Sequence, residues 1–245
     1  RSTLFPYTTL FRSEPFGLVR TRSEAESWIR LGRVKVNGAV ISKAGAFISD
    51  SAAIVLDAPE RYVSRAGLKL ASVARLLKLD FTDKIVLDVG SSTGGFTDYA
   101  LQHGAKRVYA VDVGTDQLHP ALRNDKRIEL HEKTDIRQFT PKDTPDIVVI
   151  DVSFISLRDI LPHIATIIDR HTIVVAMVKP QFEARRGQLG SSGVVKNDTV
   201  RRQIIRDFEV WSKRYFVVAD KADSAVAGAS GNRERFYRLG LASFR

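Results

Sequence analysis

The chain has 245 residues, 44% of them hydrophobic, and its 38 Lys and Arg against 28 Asp and Glu leave a formal net charge of +10. That length predicts one ordinary domain with a small appendage, and the charge favours a polyanionic partner, nucleic acid ahead of membrane. The absence of Cys excludes a disulfide framework, a zinc knuckle and a thiol nucleophile; no apolar run reaches the length of a membrane span, and with no secretory signal in view a cytoplasmic location is expected.

Residues Arg1 to Ser13 are expected to be foreign to the fold, because RSTLFPYTTLFRS reads as a translated sequencing adapter, with a genuine disordered tail as the plain alternative. Residues 14–58 read as a small α+β RNA-binding domain at the amino terminus. Thr21 to Arg30 carries a helix signal, with Thr21 or Ser23 as cap and acidic residues in the first turn. Gly32 ends it. Val34-Lys35-Val36 then alternates into Asn37-Gly38, the strongest short hairpin signal, and Ile48 and Ile54-Val55-Leu56 supply further short strands. The helix–Gly–Arg–Val-x-Val-Asn-Gly pattern resembles the RNA-binding domain named after ribosomal protein four of the small subunit. That family has an earlier helix, ending here near Gly17-Leu18-Val19, so the first helix is expected to be incomplete. RNA contacts are expected from Arg22, Arg30, Arg33 and Lys35.

Residues 59–64 read as a linker and residues 65–245 as an α/β domain. A helix is predicted over 65–79, where Leu70, Val73, Ala74 and Leu77 share one face. Strands are predicted at 85–89, 107–111, 127–130, 147–150, 172–178, 215–219 and 235–239. Helices are predicted from the glycine loop to about His103, over 157–168 and over 199–213. Apolar strands alternating with helices predict a doubly wound, mostly parallel seven-stranded Rossmann-like sheet. The last two strands have no helix between them, so they are expected to pair as a hairpin, with the final strand antiparallel to its neighbours.

The first of these strands runs into Asp88-Val89-Gly90-Ser91-Ser92-Thr93-Gly94-Gly95-Phe96. Its glycines permit tight turns and close approach of a ligand to backbone. The spacing is neither the dinucleotide fingerprint nor a phosphate loop. An Asp at the strand tip suits a ligand with a positively charged amino-acid tail, and S-adenosylmethionine is such a ligand. Asp112, at the tip of the second strand, is placed to accept the ribose hydroxyls. Asp135, after the third, is expected to face the adenine, with a solvated loop acid as the plain alternative. Set against a Gly-rich turn without a ligand, the loop and the second-strand Asp together favour a cofactor site.

Ligands of open α/β sheets sit beyond the carboxyl ends of the strands. Asp151 follows the fourth strand, Lys179 follows the fifth, and Glu234 begins the antiparallel last one, at the same edge. Lys69 lies one turn into the preceding helix and can lean over the same crevice. A ribose hydroxyl must lose a proton as it accepts a methyl group, and a neutral lysine can take it. By its central position Lys179 is the expected base. Asp151 would orient it, Lys69 tune it or hold substrate, and Glu234 position the Lys69 amine. Arg65 is expected to contact substrate phosphate, and Arg185 and Arg186 to extend the RNA surface. Phe154 and Phe182 are read either as base-stacking rings or as core. The five His are scattered and no metal site is expected.

Five segments carry a family resemblance: Val63-Ser64-Arg65-Ala66-Gly67-x-Lys69-Leu70, the loop from Asp88 to Phe96, Asp151-Val152-Ser153-Phe154-Ile155-Ser156-Leu157, Val178-Lys179-Pro180-Gln181-Phe182-Glu183, and Gly231-Asn232-Arg233-Glu234. With them, residues 64–239 resemble the TlyA or hemolysin A type of ribosomal RNA 2′-O-methyltransferase, a relative of the FtsJ-type enzymes. The resemblance implies cytidine in ribosomal RNA as substrate, ribosomal RNA or ribosomal subunits as partner, and S-adenosylmethionine as methyl donor. Asp135 departs from the family pattern, in which Asn is expected. Three other readings are weaker. A base-amino methyltransferase needs a Pro-Pro loop where Asp151-Val152-Ser153-Phe154 stands. A binding-only RNA protein leaves the lysines and carboxylates without work. A pore former has no amphipathic or spanning segment to use.

Overall fold

The structure is a computed structural model. It describes residues 3–4, 22–49, 51–57, 62–185, 188–189, 194–195, 197–228 and 232–242, with Thr3, Leu4, Arg22, Ser23, Glu24 and Ser27 described in their backbone alone. The chain divides into two compact units, residues 1–61 and 62–245.

In the first unit, β1 (Thr3–Leu4) pairs antiparallel with β4 (Ile48–Ser49). The rest of the stretch read as an adapter lies outside the described residues. A helix over Arg22–Arg30 precedes a three-stranded antiparallel sheet in which β2 (Val34–Val36) lies between β3 (Ala39–Ile41) and β5 (Ile54–Leu56). Asn37 and Gly38 both take positive φ, 49° and 82°, and so form the predicted tight hairpin turn. Ala25, Trp28 and Ile29 of the helix are buried, as are Val34 and Ile54 of the strands.

The second unit is a seven-stranded sheet in the order β11-β12-β10-β9-β6-β7-β8. Its strands are β6 (Ile85–Val89), β7 (Arg107–Val111), β8 (Ile128–His131), β9 (Ile147–Ile150), β10 (Ile173–Val178), β11 (Phe216–Asp223) and β12 (Arg235–Leu241). The central strands are apolar apart from Asp88 because helices cover both faces. Alternation along each strand sends Val86, Ile147, Val149 and Val175 to one core, with Leu70, Phe96 and Tyr99 from the helices and Leu77 from the turn after the first of them. It sends Leu87, Val148, Ile150 and Val174 to the other, with Ile160, Ile205 and Phe208.

Two predicted helices are shorter than their patterns. The Arg65–Ala74 helix closes early, with Lys78 at φ 52° in its C-terminal turn, although Leu77 stays buried. The 157–168 helix breaks into a 3-10 turn, Leu157–Asp159, and a single turn, Leu161–Ile164. Pro162 is the cause: it has no N–H for Arg158 and its ring would meet that carbonyl.

The register sets the site. β6, β9 and β10 are parallel, with Val89 beside Ile150 and Ile150 beside Ala176. β12 runs antiparallel to β10, with Val178 opposite Arg235. Lys179, which follows Val178, and Glu234, which precedes Arg235, therefore come together at the carboxyl edge of the parallel strands.

Candidate active site

The turn after β6 is built on close backbone approach. Gly90 has φ 79°, and a Cβ there would lie 2.7 Å from the Asp151 carbonyl oxygen. Asp151 N–H in turn donates to Val89 O at 3.0 Å, so the glycine loop and the Asp151 loop are in backbone contact. Gly94, at φ 88°, caps the Gly95–Gln102 helix, and a Cβ on Gly95 would strike the Ser64 side chain and the Gly67 backbone. Gly95 thus lets the helix that carries Lys69 approach the loop.

Beneath the loop lies a recess of about 140 Å³, lined by Ala66, Asp88, Gly90, Ser91, Ser92, Thr93, Phe96, Asp151, Ser153 and Lys179. Asp88 is 1% exposed. Its Oδ2 accepts the Thr97 hydroxyl at 2.6 Å, whereas Oδ1 and the Ser91 hydroxyl are buried without a hydrogen-bond partner. Burial pushes the Asp88 carboxyl up to about 7; the Thr97 bond opposes this and the Asp151 charge adds to it. Two orphaned buried polar atoms and a glycine cradle fit the polar tail of an S-adenosylmethionine molecule. Phe96 is buried against Phe236, ring centroids 6.0 Å apart.

A larger pocket of about 530 Å³ opens beside it, with Ser92, Asp112, Gly114, Asp135, Ile136, Phe154 and Ile155 in its wall. That volume is in the range of small-molecule sites. Asp112 accepts Ser92 N–H at 2.8 Å and Gly114 N–H at 2.7 Å. Asp135 lines the pocket, but Arg137 occupies both its oxygens, with Nη2 2.6 Å from Oδ2 and Nε 3.0 Å from Oδ1. These bonds from Arg137 hold the Asp135 carboxyl down at about 2.

The four residues expected to be catalytic form two pairs. Lys179 Nζ lies 2.6 Å from Asp151 Oδ1 and donates to Ser153 Oγ at 2.8 Å. It also lies 5.8 Å from the Phe182 ring centroid. Lys69 Nζ lies 2.7 Å from Glu234 Oε2. All but Asp151 are buried. Asp151 and Lys179 line the recess; Lys69 and Glu234 line neither pocket. Phe154, 92% exposed and at φ 65°, projects at the rim with its ring centroid 5.3 Å from that of Phe182.

The expected RNA contacts are more dispersed. Arg65 is half-buried at the start of its helix, and Arg30, Arg33 and Arg185 are exposed. Lys35 pairs with Asp57 at 3.1 Å. Arg186 and the Arg22 side chain lie outside the described residues. Sequence reasoning missed Ser153, Thr97 and Arg137. Ser153 had the only available signal, its place two residues beyond Asp151.

A Rossmann-like methyltransferase that uses S-adenosylmethionine is the class this sheet edge defines, because the reversed strand returns Glu234 to the carboxyl tips of the parallel strands, where the glycine cradle follows β6. Residues 62–241 match the model of the FtsJ-like methyltransferase family, and the chain belongs to that family. Residues 17–54 match the S4 domain. The chain is 38% identical to hemolysin A of Brachyspira hyodysenteriae, over 89% of this chain and 93% of that protein. It is 37% identical to the 16S/23S rRNA (cytidine-2'-O)-methyltransferase TlyA of Mycobacterium tuberculosis, over 91% of this chain and 85% of that protein. A solved structure from Streptococcus thermophilus that carries the hemolysin name superposes with a TM-score of 0.72 at 38% identity, covering 98% of this chain and 89% of that one.

Proposed function

We propose that this protein methylates the 2′ oxygen of a cytidine ribose in ribosomal RNA, with S-adenosylmethionine as donor and Lys179 as general base. The observation that carries the reading is the Lys179–Asp151 pair, 2.6 Å apart in the wall of the recess that also contains Asp88. S-adenosylmethionine supplies an electrophilic methyl on a sulfonium. Asp88 and Ser91 would hold its amino-acid tail, Asp112 its ribose, and the Ile136 and Ile155 side of the larger pocket its base. Asp135, tied to Arg137, would border that base through the Arg137 pair.

Asp151 and Ser153 fix the Lys179 amine at the sheet edge, where Nζ in its neutral form would take the proton of the 2′ hydroxyl as the oxygen–methyl bond forms, the methyl–sulfur bond breaks and the donor leaves as a neutral thioether. Asp151 then shares the charge left on Nζ. Glu234 would hold the Lys69 ammonium at the same sheet edge, where it would favour the developing oxyanion. Phe154 offers an exposed face on which an unstacked base can rest. Arg65 and Arg185 would contact phosphates near the crevice, and the S4 domain would bind RNA through Arg22, Arg30, Arg33 and Lys35.

Ribosomal subunits are the proposed partner and the cytoplasm the proposed location; no helix among the described residues is long and apolar enough to cross a membrane. The test is incubation of each subunit with labelled S-adenosylmethionine, followed by mapping of 2′-O-methyl positions. Label on a base, or on protein alone, would overturn the reading.

A further inference from the structure

Glu183 is a buried carboxylate, 7% exposed, with no part in the chemistry described so far. It ends the four-residue turn Pro180–Glu183 that begins directly after Lys179. Its Oε2 accepts the Ser156 hydroxyl at 2.7 Å, and its Oε1 accepts the Leu157 backbone N–H at 2.7 Å. Arg158 Nε lies 3.6 Å away. These bonds join two segments more than twenty-five residues apart, the loop after β9 and the turn after β10.

Both segments carry parts of the site. The first holds Asp151, Ser153 and Phe154; the second holds Lys179 and Phe182. Phe154 has φ 65°, a conformation that a bulky side chain adopts only when its surroundings impose it. The loop is held at one end by Asp151 N–H on Val89 O at 3.0 Å. At the other end Glu183 holds it. Burial raises the Glu183 carboxyl, opposed by the Ser156 and Leu157 bonds. A polar group so far from water is retained at a cost, and these two donors offset it.

We propose that Glu183 is a positioning residue of the methyl-transfer site: its carboxylate fastens the Asp151 loop to the Lys179 turn, and so sets the Lys179–Asp151–Ser153 contacts and the presentation of Phe154. This rests on the methyl-transfer reading above. A small misplacement of a reacting group costs a large factor in rate, so the fastening acts on turnover as well as on the stability of the loop.

The test compares Glu183→Ala with Glu183→Gln. An amide can accept from Leu157 N–H and donate to the Ser156 hydroxyl, so Gln preserves the fastening in neutral form, whereas Ala removes it. In Glu183→Ala, hydrogen exchange across residues 152–157 should accelerate while β9 and β10 stay protected. Turnover per folded molecule, at saturating S-adenosylmethionine and ribosomal subunits, should fall about 10- to 100-fold. Glu183→Gln should restore most of both. Parent-like exchange at 152–157 in the Ala variant, or parent-like turnover per folded molecule, overturns the proposal. If Glu183→Ala does not fold, Ser156→Ala removes one of the two bonds and should lose turnover to a lesser degree; parent-like turnover there overturns it equally. A parent protein that methylates no RNA sinks the methyl-transfer reading, and the exchange comparison then still decides whether Glu183 holds the loop.

Discussion

Lys179 Nζ and Asp151 Oδ1 lie 2.6 Å apart, on the ends of two adjacent parallel strands. The amine is thus oriented before substrate arrives. Lys179→Met should lower methylation by about 10²–10⁴-fold, the usual worth of a positioned acid or base, and leave S-adenosylmethionine affinity nearly unchanged. Lys179→Arg should fail as well, because a guanidinium does not give up its proton at neutral pH. Single-turnover methylation of ribosomal subunits checks both variants, and robust activity of the Arg variant removes the general-base role.

Asp112 holds Ser92 N–H and Gly114 N–H, one on each oxygen. A carboxylate has about four acceptor sites, so two remain for ribose hydroxyls. Asp112→Ala should weaken S-adenosylmethionine binding by about 1.5–3 kcal/mol, the range for hydrogen bonds to a charged group. Titration calorimetry measures it, and unchanged affinity in a folded variant takes Asp112 out of the site.

Asp88 titrates at about 7 in the folded chain, against an ordinary value of 3.8. Its charged form is the one that holds an ammonium group, so S-adenosylmethionine affinity should fall as pH drops below about 7. Asp88→Asn should weaken binding and flatten that dependence. For stability the sign is opposite. Between 3.8 and about 7 the folded chain keeps a proton that the unfolded chain has released, so this group favours the fold at low pH. The contribution fades as pH rises to about 7 and amounts to about 4 kcal/mol in all. Asp88→Asn should therefore raise the melting temperature more at pH 8 than at pH 5. An equal change at both would place the Asp88 proton elsewhere.

The small amino-terminal unit presents Arg30 and Arg33 to solvent. If they grip phosphates, RNA affinity should fall with salt by about 0.7–0.9 log units per contact per log unit of salt. Neutralising both should make the slope shallower by about one to two contacts without altering binding of free S-adenosylmethionine. A slope identical to that of the parent shows that these arginines do not touch RNA.

Much of this site could be read from sequence because it depends on strand ends. Strand-length apolar runs placed Asp88, Asp112, Asp151 and Lys179 at one edge, and the missing helix between the last two strands turned Glu234 back to it. Side-chain pairing was not legible in the same way. That Asp135 spends both oxygens on Arg137, or that Ser153 reaches Lys179, follows from rotamers and loop curvature, which strand and helix periods do not encode. The 157–168 helix was misread because its apolar spacing outweighed one Pro. Glu183 was visible only as a letter in a motif; its function depends on a loop that arrives from another strand.

The pairing of Lys69 with Glu234 at 2.7 Å has a consequence in time. A ribosome makes Lys69 well before Glu234. Until β12 docks against β10, the Lys69 ammonium, 8% exposed in the finished protein, has no counter-charge, and an uncompensated buried charge is costly. The helix that carries Lys69 therefore gains this counter-charge only when the carboxyl-terminal hairpin docks. The catalytic edge is then complete only once β12 is in place, and pulse-labelled hydrogen exchange should find the Arg65–Ala74 helix reaching full protection no sooner than β12.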